Sequence, residues 1–139
     1  MRIVLDTNAL VAGLLTPFGT CGEIVRMLMS GEITLCIDAR ILIEYQDVLR
    51  RPRFDFHPGL IAALMEYIEK SAESFPVIAL PKPLPDPDDD PFLEVALSAK
   101  VESLVTGNLP HFPIRRRSGV PVLSPREFLE FFKERKTTG

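Results

Sequence analysis

Apolar and polar positions along this chain switch repeatedly between a strand-like and a helix-like period. Ile3-Val4-Leu5 is an unbroken apolar run with β-branched residues, the pattern of a strand buried on both faces of a parallel sheet. Residues 8–15 (NALVAGLL) predict a short helix that breaks near Pro17 and Gly19. Cys21, Ile24, Val25, Leu28 and Met29 then keep helical spacing as far as Gly31, a natural stop. Ile33, Leu35 and Ile37 alternate with Thr34 and Cys36 and predict a second strand. Asp38 is placed to cap the next helix, whose apolar stripe is Ile41, Leu42, Tyr45, Val48 and Leu49 and which Pro52 ends. Leu60, Ile61, Leu64, Met65 and Ile68 form another amphipathic stripe.

The second half is punctuated differently. Residues 76–91 hold six prolines and four aspartates and predict a long irregular connection, a kind of segment that is more often functional than idle. A helix follows from Pro91 to about Lys100, with Asp90 at its N-cap, and then a strand at Ser103-Leu104-Val105-Thr106. Ser124-Pro125-Arg126-Glu127 is a capping box that opens a last helix bearing Phe128, Leu129, Phe131 and Phe132. This alternation predicts an α/β/α sandwich around a mostly parallel central sheet. The 139 residues suffice for one domain spanning 1–139, since neither side of the proline-rich connection has enough chain for a core of its own.

Composition narrows the chemistry by exclusion. Two cysteines, Cys21 and Cys36, make no disulfide framework and read as small core residues, so a reduced, cytoplasmic protein is expected. No apolar run approaches the ~20 residues of a membrane span. There is no G-x-G-x-x-G or G-x-x-x-x-G-K-[ST] for a nucleotide, no H-E-x-x-H for zinc and no G-x-S-x-G for a serine nucleophile. His57 and His111 are the only histidines, and His57 reads as part of an exposed turn. The net charge of −3 gives no general basic surface, but the charges are segregated. Asp86, Asp88, Asp89 and Asp90 crowd together, while Arg50, Arg51 and Arg53 form one basic knot and Arg115, Arg116 and Arg117 another.

Carboxylates are what remains. Asp6 ends the first strand, at the sheet edge where open parallel α/β folds bind ligands. Glu44 lies at the border of its helix's apolar stripe, whereas Asp47 faces away and Asp38 is accounted for as a cap. Capping explains one aspartate of the run before Pro91 but not its neighbours, whose repulsion a divalent cation such as Mg²⁺ or Mn²⁺ would relieve. Thr106-Gly107-Asn108 ends the later strand and opens on the same edge as Asp6.

Taken in order, V-L-D-T-N (Val4 to Asn8), I-L-I-E-Y-x-x-V-L (Ile41 to Leu49), D-P-D-D-D-P-F-L-x-x-A (Asp86 to Ala96), L-V-T-G-N (Leu104 to Asn108) and V-L-S-P-R-E-F-L (Val122 to Leu129) resemble a PIN domain, the nuclease fold of VapC-type toxins. The resemblance runs over nearly the whole chain. It implies a metal-dependent endoribonuclease, with Asp6, Glu44 and Asp90 holding Mg²⁺ or Mn²⁺ and Asn108 contributing a neutral oxygen. Asp90 is chosen over Asp88 and Asp89 because the family's helix-opening aspartate lies about sixteen residues before the strand-end threonine, here Thr106. Thr7 and Asn8 would orient Asp6, and Thr106 would orient Asn108 or a substrate phosphate. Asn108 and His111 stand where family members often carry acids, which lowers the site's negative charge and weakens a second metal position. The two arginine knots are candidate phosphate contacts. The partners implied are an RNA substrate, an antitoxin protein and a second copy of the chain. The rival reading is a weakened PIN-like module that binds RNA or a partner without cutting. An aspartyl phosphatase is disfavoured, because Asn8 replaces the second acid of D-x-D.

Overall fold

In the computed structural model, which describes residues 1–138, five parallel strands lie in the order β3-β2-β1-β4-β5. They are β1 (Arg2–Leu5), β2 (Thr34–Ile37), β3 (Glu73–Ser74), β4 (Ser103–Val105) and β5 (Val122–Leu123). Six helices connect and follow them: α1 (Thr7–Leu15), α2 (Thr20–Ser30), α3 (Ala39–Leu49), α4 (Pro58–Ser71), α5 (Asp90–Ala99) and α6 (Pro125–Thr138). Ile3, Val4 and Leu5 point to alternate faces of the sheet and all are at most 1% exposed, so both faces are covered. The sandwich expected from the alternation of elements is therefore the fold.

The two outer strands, β3 and β5, are two residues each and carry no periodicity that a sequence reading can detect. Predicted helix boundaries hold to within a turn or so, and the termini show why. Asp38 Oδ1 accepts the Ile41 amide and caps α3. The capping box of α6 forms in both directions, Ser124 N–H to Glu127 Oε1 and Glu127 N–H to Ser124 Oγ. His57 Nδ1 accepts the Gly59 amide and caps α4 beside Pro58, an exposed structural role. One terminus differs from expectation: α5 begins at Asp90 itself, continuous with a 3₁₀ turn over Pro87–Asp89, so Asp90 is not its N-cap. Both cysteines are free thiols, Cys36 buried and Cys21 half-buried. Among the described residues no single helix is long and apolar enough to cross a membrane.

Register places the site. Leu5 pairs with Val105, so the residues that follow, Asp6 and Thr106, emerge side by side at the carboxyl edge of the sheet. The Asp6 amide still donates to Val105 O (3.0 Å) and the Thr106 amide to Leu123 O (3.0 Å), which extends the ladder one residue past each strand.

Candidate functional site

Asp6 is 6% exposed and held at both carboxylate oxygens. Oδ1 accepts the Ala9 amide (2.8 Å) as the cap of α1, and Oδ2 accepts the hydroxyl of Thr106. Burial raises its pKa above the usual carboxylate value, and these hydrogen bonds oppose the rise. Thr106 is fully buried and also accepts the Asn108 amide at 2.9 Å. Its hydroxyl thus ties the turn after β4 to the acid after β1.

Helix α3 brings the second acid. Tyr45, fully buried, donates its hydroxyl to Leu5 O at 2.5 Å, which pins α3 to the end of β1 and sets the neighbouring Glu44 over the same edge. The Thr7 hydroxyl donates to Glu44 Oε2. Thr7 therefore orients Glu44, not Asp6.

The third acid comes from the aspartate run, and it is not the one the spacing selects. Asp90 Oδ1 accepts the Leu84 amide (2.8 Å) and fastens the proline-rich connection to α5. Asp89 instead turns into a cleft of 320 Å³ whose walls include Asp6, Thr7, Asn8, Glu44, Asp86, Asp88, Phe92 and His111. Asp90 and Asn108 are not among its lining residues. Asp89 Oδ2 is buried and has no hydrogen-bond partner, although His111 Nδ1 stands 3.1 Å away as a possible ion pair. Its pKa is pushed up to about 6, first by burial and then by the negative charges of Asp86, Asp6 and Glu44, with His111 opposing them. Asp89 closes the 3₁₀ turn with its carboxylate in the cleft, whereas the Asp90 carboxylate turns back to the Leu84 amide. Nothing in the local sequence pattern separates the two, since the residues three and four after each are buried.

A cation suits this donor set. The cleft offers five carboxylates, all hard oxygen donors, and apart from the His111 contact Asp89 Oδ2 has no hydrogen-bond partner. Among the described residues no three acidic, histidine or cysteine side chains are close enough together to hold a metal as they stand, so binding requires their side chains to close on the ion.

The basic knots separate. Arg51 and Arg53 line the acidic cleft, while Arg50 lines the adjoining one. Arg116 Nη1 donates to Pro83 O (2.7 Å) and Arg117 Nε to Phe112 O (2.7 Å). With Arg115, these residues line neither cleft, and two of the three brace loops instead.

A family model described as PIN domain matches residues 2–110, which span Asp6, Glu44, Asp89 and Thr106. The chain belongs to the PIN domain family. The PIN fold here is similar to a chain in the crystal structure of VapBC2 from Rickettsia felis bound to a DNA fragment from their promoter. The TM-score is 0.57 and the identity 14%, over 89% of this chain and 98% of that one. No curated protein matches the chain. His111 and the Arg115 to Arg117 knot fall beyond the matched part of the PIN domain.

Proposed function

We propose that this PIN domain is a metal-dependent endoribonuclease that hydrolyses RNA phosphodiesters, and that it is the toxin of a toxin–antitoxin pair. The observation that carries the nuclease reading is the meeting of Asp6, Glu44 and Asp89 in one cleft at the carboxyl edge of a parallel sheet, with a buried Asp89 oxygen that has no hydrogen-bond partner and faces only His111. The likeness of the backbone to VapBC2 supports the toxin reading and an antitoxin protein as partner; a homodimer and a cytoplasmic site of action belong to the same proposal.

Asp6, Glu44 and Asp89 would hold Mg²⁺ or Mn²⁺, with Asp86 and Asp88 beside them. When bound, the ion supplies a water activated for in-line attack and neutralises charge building on the phosphate. Thr106 and the Ala9 amide aim Asp6 and oppose the burial-driven rise in its pKa, and Thr7 aims Glu44. Of these acids Glu44, held by Thr7, would accept a proton from the attacking water where it does not hold the ion. Arg51 brings positive charge to a phosphate entering the cleft. Asp90 acts at one remove, holding the connection from which Asp86 to Asp89 project.

The test is cleavage of a mixed pool of single-stranded and structured RNAs in Mn²⁺, Mg²⁺ or EDTA. Cleavage that requires metal and is lost in Asp89→Asn supports the reading. An inactive chain that still binds RNA would favour the rival module, in which Asn108 marks a weakened site.

A further inference from the structure

We infer that residues 50–56 form a base-stacking subsite, so that the RNA strand next to the cleaved phosphate is bound single-stranded. The inference rests on the nuclease reading above and adds to it a substrate conformation and the residues that select it.

The segment has an unusual local geometry. After a 3₁₀ turn over Pro52–Phe54, Asp55 adopts the left-handed conformation (φ 51°, ψ 37°), which a non-glycine residue rarely does without a compensating interaction. The reversal brings Phe54 and Phe56 together, with ring centroids 5.6 Å apart and planes within 19° of parallel. The Arg53 guanidinium lies over the Phe54 ring, 4.7 Å from its centroid. Three planar groups are thereby assembled, two half-buried rings and one exposed guanidinium. Guanidinium planes and aromatic rings are the surfaces on which splayed RNA bases stack.

Position and charge indicate what lies on it. Arg53 and Phe54 form part of the wall of the acidic cleft, and Arg51 lines both that cleft and a second one of 290 Å³. The second cleft is walled by Arg50, Pro52, Asp55 and Phe56. A strand whose phosphate sits among Asp6, Glu44 and Asp89 therefore passes directly over this ledge. Among the described residues Arg50 and Arg53 form no ion pair, and Arg51 makes only a 3.4 Å contact with exposed Asp47. Two uncompensated guanidinium groups beside stacked rings suit a polyanion that also presents flat bases. A duplex keeps its bases paired inside and offers the ledge only phosphates.

The experiment uses the full chain carrying Asp89→Asn, so that bound RNA is not cut, in Mg²⁺. Fluorescence polarisation follows three probes: a labelled single-stranded 12-mer, the same strand in a duplex, and the same strand with an abasic residue in place of each central base. The single strand is expected to bind roughly tenfold tighter than the duplex. Adding Arg53→Lys, which keeps the charge and removes the planar group, or Phe54→Leu is expected to weaken single-strand binding about fivefold or more, the scale of one lost base stack, and to leave duplex binding unchanged. The abasic strand should lose a similar factor, with no further loss in the variants. Thermal melts of each variant separate a lost subsite from a lost fold, and Phe56→Leu provides a second ring deletion if Phe54→Leu melts early. Equal affinity for strand and duplex would overturn the subsite, as would variants that bind the intact strand as the parent does. An Arg53 effect that persists on the abasic strand would also overturn it, since that marks a phosphate contact. If the parent cleaves RNA in Mn²⁺ while any of these holds, only the subsite falls. If it neither cleaves nor binds RNA, the nuclease reading falls and the subsite with it.

Discussion

Thr106 donates its hydroxyl to the Asp6 carboxylate, joining two residues that lie a hundred positions apart in sequence and side by side at the sheet edge. The bond fulfils two needs at once. A carboxylate that is 6% exposed loses most of its hydration and needs donors, and a fully buried hydroxyl needs an acceptor.

Thr106→Val keeps the β-branched shape and removes the donor. It leaves the Asp6 oxygen and the Asn108 amide each short of a partner, so the metal-free protein should lose about 2 kcal/mol of stability. Because hydrogen bonding opposes the burial-driven rise in the Asp6 pKa, the variant's Asp6 should also hold its proton to higher pH. Urea melts and a pH titration of Mn²⁺ binding check both, and a variant as stable as the parent would show that the bond contributes nothing net.

Asp89 and Asp90 are adjacent, yet they should behave oppositely. Asp89→Asn removes a charge from the cleft, so it should abolish metal-dependent cleavage, raise the melting temperature of the metal-free protein and erase the stabilisation by millimolar Mn²⁺. Asp90→Asn retains an oxygen for the Leu84 amide and should leave cleavage nearly intact, while Asp90→Ala should cost about 1 kcal/mol by freeing that amide. Cleavage lost in Asp90→Asn but kept in Asp89→Asn would restore the assignment that spacing alone gives.

This pair also marks where legibility ended. Asp6 was readable because it directly follows a run buried on both faces, and the Asp38 cap and the Ser124–Glu127 capping box follow from chemistry within four residues. The site as a neighbourhood was readable for the same reason, since parallel strands deliver their ends to one edge. Choosing among three consecutive aspartates requires knowing how the 3₁₀ turn at Pro87–Asp89 phases into α5, and a count of residues from Thr106 does not carry that phase. Thr7 faces Glu44 because α3 is docked by Tyr45, a tertiary contact with no local signature. The edge strands β3 and β5 are too short to show alternation and exist because the sheet supplies their partners.

Titration of Asp89 gives the metal-free protein a signed pH dependence. Its folded pKa of about 6 lies above the ordinary value of 3.8, so the native state holds this proton more tightly than the unfolded chain does. The stability this contributes is complete below about pH 4 and is lost as the pH rises through about 6. Since Asp89→Asn lacks the titration, its melting temperature relative to the parent should climb between pH 4 and pH 7 and then level off. Mn²⁺ competes with the same proton, so its affinity for the parent should rise over that interval. A difference between variant and parent that is flat with pH would mean that Asp89 ionises as freely as an exposed aspartate.

The last expectation concerns how the proline-rich connection is fastened on the way to the cleft. Glu94 is a buried acid in the second turn of α5. Its Oε2 accepts the Leu80 amide at 2.8 Å, and its Oε1 pairs with Arg40, which also holds Asp38, each at 2.7 Å. One carboxylate thus links α3, α5 and the connection, and Asp90 adds a second tie at Leu84. Arg40→Leu leaves the buried carboxylate with only an amide donor. The cost should be about 1–2 kcal/mol, less than for a fully buried pair because Arg40 is 47% exposed. Glu94→Gln preserves an acceptor for Leu80 and should cost less. Because the connection delivers Asp86 and Asp89, Arg40→Leu should also speed proteolytic cleavage between residues 76 and 86 and reduce the stabilisation by Mn²⁺, although Arg40 is not among the cleft's lining residues. Limited proteolysis with and without Mn²⁺ reads both effects. A variant that melts earlier but is cut no faster would show that Arg40 stabilises the α3–α5 packing alone, and that Leu84 and Asp90 hold the connection without it.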